Sequence, residues 1–264
     1  MFDFGENWQN FSKNTNPVRI KNAENSLKQK LNLGNMSGLT FLDIGCGSGI
    51  FSLAAYNLGA TVTSIDINKK CIECTKILKE KYSNKNQNWV IKQADFTNSE
   101  VVKLITPHDI IYCWGVLHHT GKMWECFEKL FSLAKNDSLL YIAIYNDQGF
   151  ISNIWKKIKI AYNSNTFSKY TIIFTLLPIQ AILLIAKGSL KHFSPFYYIK
   201  DSNNPRGMNF YYDFIDWVGG FPFEVATPKE VLLFSKKNMF EITNQYLTNG
   251  SGCNEYILKK IMRN

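Results

Sequence analysis

Apolar positions along the chain fall into short runs separated by longer stretches with helical spacing. Thr40–Ile44, Thr61–Asp66, Trp89–Gln93, Ile110–Cys113 and Leu139–Tyr145 are rich in β-branched and aromatic residues and too short for helices, so they read as buried strands. Phe51–Leu58, Lys69–Tyr82 and Met123–Ala134 lie between them with helical periodicity. Strand and helix in alternation imply an α/β fold with a parallel, doubly wound sheet. The pattern breaks after Tyr145. It resumes at Thr227-Pro228-Lys229-Glu230, a capping-box start with proline at the first helical position, and that helix runs to about Asn238. Two strand-like segments, Phe240–Leu247 and Glu255–Lys259, finish the chain.

Four regions follow from this pattern. Residues 1–35 are polar with isolated aromatics and a helix-like stretch at Asn22–Leu31, and are expected to cap a ligand site. Residues 36–146 form the core, 147–227 an insertion and 228–264 the last helix and strands. Insertions in such folds tend to build acceptor sites and lids. This one holds the strongly apolar Thr171–Ala186, flanked by Lys169 and Lys187. It is shorter than the roughly 20 residues of a spanning helix and carries Pro178 and Gln180. A helix buried in a lid or dimer contact is the expectation. A helix resting on a membrane surface, near Lys156, Lys157, Lys159 and Lys191, is the alternative.

The chemistry concentrates at Thr40–Ile50, TFLDIGCGSGI, where an apolar strand meets alternating Gly45, Gly47 and Gly49 and then a helix. A ligand can lie against bare backbone there. A dinucleotide loop wants a third small residue three places after the second glycine, and Ile50 occupies that place. Asp43 would repel a pyrophosphate and welcome a cation. Asp66 ends the second strand about 20 residues on, the position for an acid that accepts ribose hydroxyls; its bland reading is a cap for the following helix. Asp95 ends the third strand, with Phe96 beside it; an acid there can take an adenine amino group. The fourth strand opens into Trp114-Gly115-Val116-Leu117-His118-His119.

LDIGCGSG, SIDI, QADF and DIIYCWGVLHHT, in that order over Phe41–Thr120, resemble the four motifs of class I S-adenosylmethionine-dependent methyltransferases. The resemblance implies a Rossmann-like sheet of about seven strands with a C-terminal antiparallel hairpin and a largely helical insertion. It implies S-adenosylmethionine as cofactor, S-adenosylhomocysteine as product, and Asp43, Gly45, Cys46, Gly47, Asp66, Ile67, Asp95, Phe96 and Trp114 as its contacts. FDFGENWQNFS at Phe2–Ser12, the Arg206–Pro228 segment and GSGCNEYIL at Gly250–Leu258 are similar to a bacterial group that O-methylates surface polysaccharides and small molecules. Where that group is expected to have a histidine, this chain has Tyr212.

Methyl transfer needs positioning, and an alcohol acceptor also needs a base. His119 and then His118 are the candidates, with a structural histidine as the bland reading. Adjacent histidines point apart, which disfavours a metal. Arg206, on a glycine turn, suits a phosphate or carboxylate, and Tyr212 joins it among candidate catalytic residues. Asn146, Asp147, Asp216, Trp217 and Asn254 are further candidates for facing the site.

Composition adds less. The chain has 264 residues, 45% of them hydrophobic, enough for one elaborated α/β domain. Net charge is +9, but the basic residues are dispersed, which argues against a nucleic-acid face. Six scattered cysteines lack metal spacing and fit a reducing cytoplasm. The N-terminus has neither the basic start nor the apolar stretch of a signal peptide. The expectation is a cytoplasmic O-methyltransferase, in reach of the inner membrane, acting on a small anionic acceptor such as a nucleotide-linked sugar or phosphoryl precursor in capsule biosynthesis. The alternatives are a quinone or lipid precursor at the membrane surface, an RNA or protein acceptor, and a non-catalytic S-adenosylmethionine-binding subunit.

Overall fold

The computed structural model describes residues 15–83, 88–198 and 210–261, apart from the Tyr212 side chain. Among these residues seven strands form one mixed sheet: β1 (Thr40–Ile44), β2 (Thr61–Asp66), β3 (Trp89–Gln93), β4 (His108–Trp114), β5 (Ala134–Tyr145), β6 (Phe240–Tyr246) and β7 (Cys253–Lys260). Their order is β3-β2-β1-β4-β5-β7-β6. The first five pair in parallel, and β7 runs antiparallel to both β5 and β6. Chain order reverses between β1 and β4, which opens a crevice at the carboxyl ends of these two strands.

Alternating side chains feed two apolar layers. Leu42, Ile44, Ile111, Cys113, Leu140 and Ile142 join one cluster, with Phe127 and Leu130 of α5 (Met123–Ser132) and Val231 of α9 (Pro228–Lys237). Phe41, Val62, Ile110, Tyr112 and Tyr141 join the other, under α1 (Pro17–Leu31), α2 (Ile50–Asn57) and α3 (Lys69–Tyr82). A short helix, α4 (Ser99–Lys103), lies between β3 and β4.

Two boundaries differ most from the expectations, each for a physical reason. Helix α1 begins at Pro17 rather than Asn22, because Asn16 caps it by accepting the Arg19 amide and proline suits its first turn. Strand β5 begins five residues early. His108 pairs with Ala134, and the exposed Lys135, Asn136 and Asp137 then read as a break because they never touch the core. As expected, the described residues of the insertion are largely helical: α6 (Phe150–Ser164), α7 (Thr166–His192) and α8 (Phe210–Gly219). Tyr162, Ile173, Phe214 and Val218 hold these three together.

The expectation of a buried Thr171–Ala186 helix within this chain is overturned. Helix α7 is 27 residues long, and only Ile173 and Gly188 in it are buried. Phe174, Ile182 and Leu190 are 75%, 65% and 82% exposed. Hydrophobicity marked the segment as interior, but its one covered side is too narrow to use it.

The chain returns to the sheet through Ala226, whose amide donates to the Tyr145 carbonyl, and through the capping box of α9. Thr227 Oγ1 accepts the Glu230 amide at 3.2 Å while Glu230 Oε2 accepts the Thr227 amide at 2.8 Å. Thr227→Ala should therefore cost about 1 kcal/mol, read as a lower midpoint in chemical denaturation.

Candidate active site

The turn after β1 decides the shape of the site. Gly45 and Gly49 have φ of 72° and 80°, a region L side chains avoid. A Cβ on Gly45 would lie 2.3 Å from Val116 Cγ2, and one on Gly49 would lie 2.7 Å from Thr75 Cγ2. Bare backbone is thus forced here. It lines a cavity of about 1700 Å³, bounded also by the ends of β2, β3, β4 and β5, by α1, and by α7 and α8 of the insertion.

Two carboxylates stand at this backbone. Asp43 is 2% exposed, and Ser52 Oγ donates to its Oδ2 at 2.5 Å. Ser52 is itself 2.7 Å from Ser64 Oγ, which accepts the Trp89 indole N–H. Burial pushes the Asp43 carboxyl up to about 7; the Ser52 hydrogen bond opposes this, and the Asp66 charge adds to it. Asp66 is 8% exposed. Its Oδ2 accepts the Gly47 amide at 3.0 Å and its Oδ1 the Asn68 amide at 2.8 Å, while burial raises its pKa. Helix α3 is capped by Asn68, which accepts the Lys70 amide, so the bland reading of Asp66 as that helix's N-cap does not hold.

The other expected contacts also line the cavity: Gly45, Gly47, Cys46, Ile67, Asp95, Phe96 and Trp114. Cys46 Sγ lies 3.4 Å from Thr75 Oγ1, and burial raises its thiol well above the usual range, which makes it a wall rather than a nucleophile. Ile67 is 51% exposed and Phe96 is buried. Asp95 Oδ1 accepts the Thr97 amide at 2.8 Å and the Thr97 hydroxyl at 2.7 Å, bonds that fix the turn as well as aiming the acid.

His118 and His119 sit on a single 3₁₀ turn, Leu117–His119, at the cavity wall. His118 is 1% exposed and packs against the Tyr145 ring, tilted by 31° with centroids 3.7 Å apart, and its Nδ1 accepts the Tyr145 amide at 3.3 Å. His119 Nδ1 lies 2.8 Å from the Pro222 carbonyl, an acceptor only, so Nδ1 carries the proton and the lone pair is on Nε2. Burial lowers the His119 pKa to about 4; the Pro222 hydrogen bond opposes this and the Lys159 charge adds to it. At neutral pH His119 is an uncharged imidazole able to accept a proton.

The remaining expectations separate. Arg206 lies outside the described residues; Tyr212 is on α8 with its side chain outside them. Asp216 and Trp217 do line the cavity, but Asn146 and Asn254 bind each other at 3.0 Å and serve the backbone around Thr248. Several lining residues were not foreseen. Trp155, Leu176, Ile179 and Leu183 come from α6 and α7, and Arg19 from α1. Tyr141 and Glu255 come from paired strands, the phenol donating to Glu255 Oε2 at 2.7 Å. Only the pairing of β5 with β7 joins these two, 114 residues apart in sequence.

Residues 35–192 match a family described as a methyltransferase domain. The chain is 28% identical over 131 residues to the ubiquinone biosynthesis O-methyltransferase of Actinobacillus pleuropneumoniae serotype 5b (strain L20), covering 50% of this chain and 53% of that protein. It is 30% identical over 134 residues to the protein of the same description from Glaesserella parasuis serovar 5 (strain SH0165), with the same coverage. The chain thus spans about half the length of these curated relatives. Its fold is similar to that of magnesium protoporphyrin IX methyltransferase from Synechocystis PCC 6803 with bound SAH (TM-score 0.56, 16% identity, 93% of this chain and 88% of that one). It is also similar to a SAM-dependent methyltransferase from Aquifex aeolicus (TM-score 0.54, 14% identity, 99% and 100%).

Two buried acids beside bare backbone suit a ligand with a cationic end and a diol. Asp66→Ala should weaken S-adenosylmethionine binding roughly ten- to hundredfold in calorimetry, the worth of a charge-assisted hydrogen bond. The raised pKa of Asp43 adds a pH dependence. A cationic ligand prefers the carboxylate, so binding releases a proton when Asp43 starts protonated. Affinity should be flat above about pH 7 and weaken as pH falls below it, with proton release that calorimetry in buffers of different ionisation enthalpy detects.

Proposed function

The chain belongs to the methyltransferase-domain family and has its S-adenosylmethionine-dependent fold; from that premise we propose that it transfers the methyl group to a hydroxyl oxygen of a lipophilic aromatic acceptor taken from a membrane surface. The observation that carries this reading is helix α7. One side of it, through Leu176, Ile179, Gln180 and Leu183, walls the cavity, while Phe174, Ile182 and Leu190 face outward and bare. An acceptor dissolved in lipid can enter such a cavity without its tail crossing water.

Charge supports the same reading. No acidic residue occurs between Asp147 and Asp201, whereas Lys156, Lys157, Lys169, Lys187 and Lys191 flank the apolar surface. Anionic headgroups attract lysines placed this way, and apolar side chains then enter the interface. Helix α7 is long and apolar enough to cross a membrane, yet its inner side packs against α6 and α8 beside the catalytic sheet. We therefore read it as lying in the interface rather than spanning it. The ubiquinone-biosynthesis relatives favour a quinone precursor over the surface-polysaccharide acceptor expected from sequence.

S-adenosylmethionine supplies a methyl group on sulfur, already activated for in-line transfer. This chain's residues do the rest. Asp43 and Asp66 hold the donor's ends, and Trp114, Tyr145, Trp155 and Trp217 present apolar walls that exclude water and orient a ring. The acceptor hydroxyl gives its proton to His119 Nε2 as its oxygen takes the methyl group. His118, whose Nδ1 is engaged by the Tyr145 amide, holds the strand end in place.

The test is flotation with anionic phosphatidylglycerol vesicles, paired with deuterated-methyl transfer to a prenylated phenol and to a sugar phosphate. Binding that weakens on replacing Phe174 and Ile182 by Ser, with label in the phenol, is the expected result. Label in the sugar phosphate, with no flotation, would return the acceptor to the soluble anionic class. His119→Gln should slow turnover of the phenol at least a hundredfold with donor affinity unchanged.

A further inference from the structure

Lys159 is the most unusual charged group among the described residues. It is 0% exposed, in the middle of α6, inside a box of three aromatic rings. Its Nζ lies 4.6 Å from the Trp217 ring centre, 4.9 Å from Phe223 and 5.9 Å from Tyr145. It donates to the Trp217 carbonyl, and no carboxylate of the described residues lies within ion-pair distance. An ammonium removed from water with one hydrogen bond and three ring faces is expensive. A leucine or methionine would fill this space at lower cost. A stability role alone therefore accounts poorly for the residue.

Its surroundings supply a use. The Trp217 carbonyl lies near the end of α8, and one turn along α6 the Asn163 amide donates to the Gly219 carbonyl at 2.9 Å. Lys159 and Asn163 together tie α6 to the end of α8. The chain then passes through Gly220 and Phe221 to Pro222, whose carbonyl holds His119 Nδ1. Gly220 packs so closely on His119 that a Cβ there would lie 2.8 Å from Cε1. Lys159 thus stands one layer of rings behind the cavity and two links from the imidazole.

We propose that Lys159 is a positioning residue for His119: its ammonium fixes the turn that holds the imidazole, and its positive charge disfavours an imidazolium. The inference rests on His119 as base for its catalytic meaning, but not for its test. Burial lowers the Lys159 pKa to about 7, opposed by the Asp216 charge, so the ammonium persists below that pH, where His119 titrates. Among the described residues, the other titratable groups around His119 are His118 on its own turn, Tyr145 at the end of β5, Asp216 on α8 and Glu224 beyond the turn. The Glu224 carboxylate is engaged by the Met123 amide.

The experiment is an NMR titration of labelled histidines in wild type, Lys159→Met and Lys159→Arg, the His119 signal being assigned by its loss in His119→Gln. Methionine has similar volume, so that variant is expected to fold; the dispersion of the same spectra checks it. In Lys159→Met the His119 midpoint should rise from about 4, because the opposing charge is gone. Turnover of the prenylated phenol should fall on the order of tenfold, because displacing the ring costs more than its raised basicity returns, with its acid limb shifted to higher pH. Lys159→Arg should restore both toward wild type. An unchanged midpoint in a folded Lys159→Met protein overturns the inference. Wild-type turnover by His119→Gln would instead remove His119 as base, and the titration would still decide whether Lys159 acts on it.

Discussion

Burying two carboxylates at the end of a parallel sheet is the constraint on which the rest of this structure turns. Asp43 and Asp66 lie where strands β1 and β2 stop, each almost fully shielded from water. Such groups are costly unless something compensates them. Part of the compensation is internal: the Ser52–Ser64–Trp89 chain of hydrogen bonds for Asp43, and the Gly47 and Asn68 amides for Asp66. That compensation is partial, because burial still dominates both pKa values. The glycine turn follows from this arrangement. Only a chain without side chains at Gly45 and Gly49 lets Val116 and Thr75 close so tightly around it.

A second layer of organisation lies above the first. The insertion is attached to the sheet at both ends, through Asn146 and Asp147 on one side and Ala226 on the other. Its three helices share a small apolar cluster of their own. They complete the wall of the cavity and leave most of α7 bare. One structural unit thereby turns apolar side chains to the cavity on one side and to the outside on the other. The aromatic ladder through Trp155, Trp217, Tyr145 and His118 connects the insertion to the histidine turn without a break.

Much of the core was legible because its determinants are local. The β1 and β2 limits at Thr40–Ile44 and Thr61–Asp66 coincide with their apolar runs, since parallel strands buried on both faces need little else. The α9 start at Pro228 was legible from four consecutive residues, because a capping box closes within one turn. Strand β5 was less legible: Lys135–Asp137 carry no apolar signal, and their pairing depends on β4 beside them. Helix α7 misled for the opposite reason. Its hydrophobicity was plain, but hydrophobicity does not say which neighbour, or which solvent, covers a surface.

The same division runs through the site. Sequence alone determined the sheet, the glycine turn and the identity of the acids beside it, because strand ends and turns bring those residues together within a few positions. It also marked His118 and His119, though not which nitrogen of either is engaged. Tertiary structure decided that Pro222, 103 residues away, sets the His119 tautomer, and that Tyr141 meets Glu255. It decided that Lys159 enters an aromatic box instead of joining the exposed lysines around it. These outcomes depend on which elements pack together. A side chain's protonation, exposure and partner are properties of the space around it, and that space is built from segments far apart in the chain.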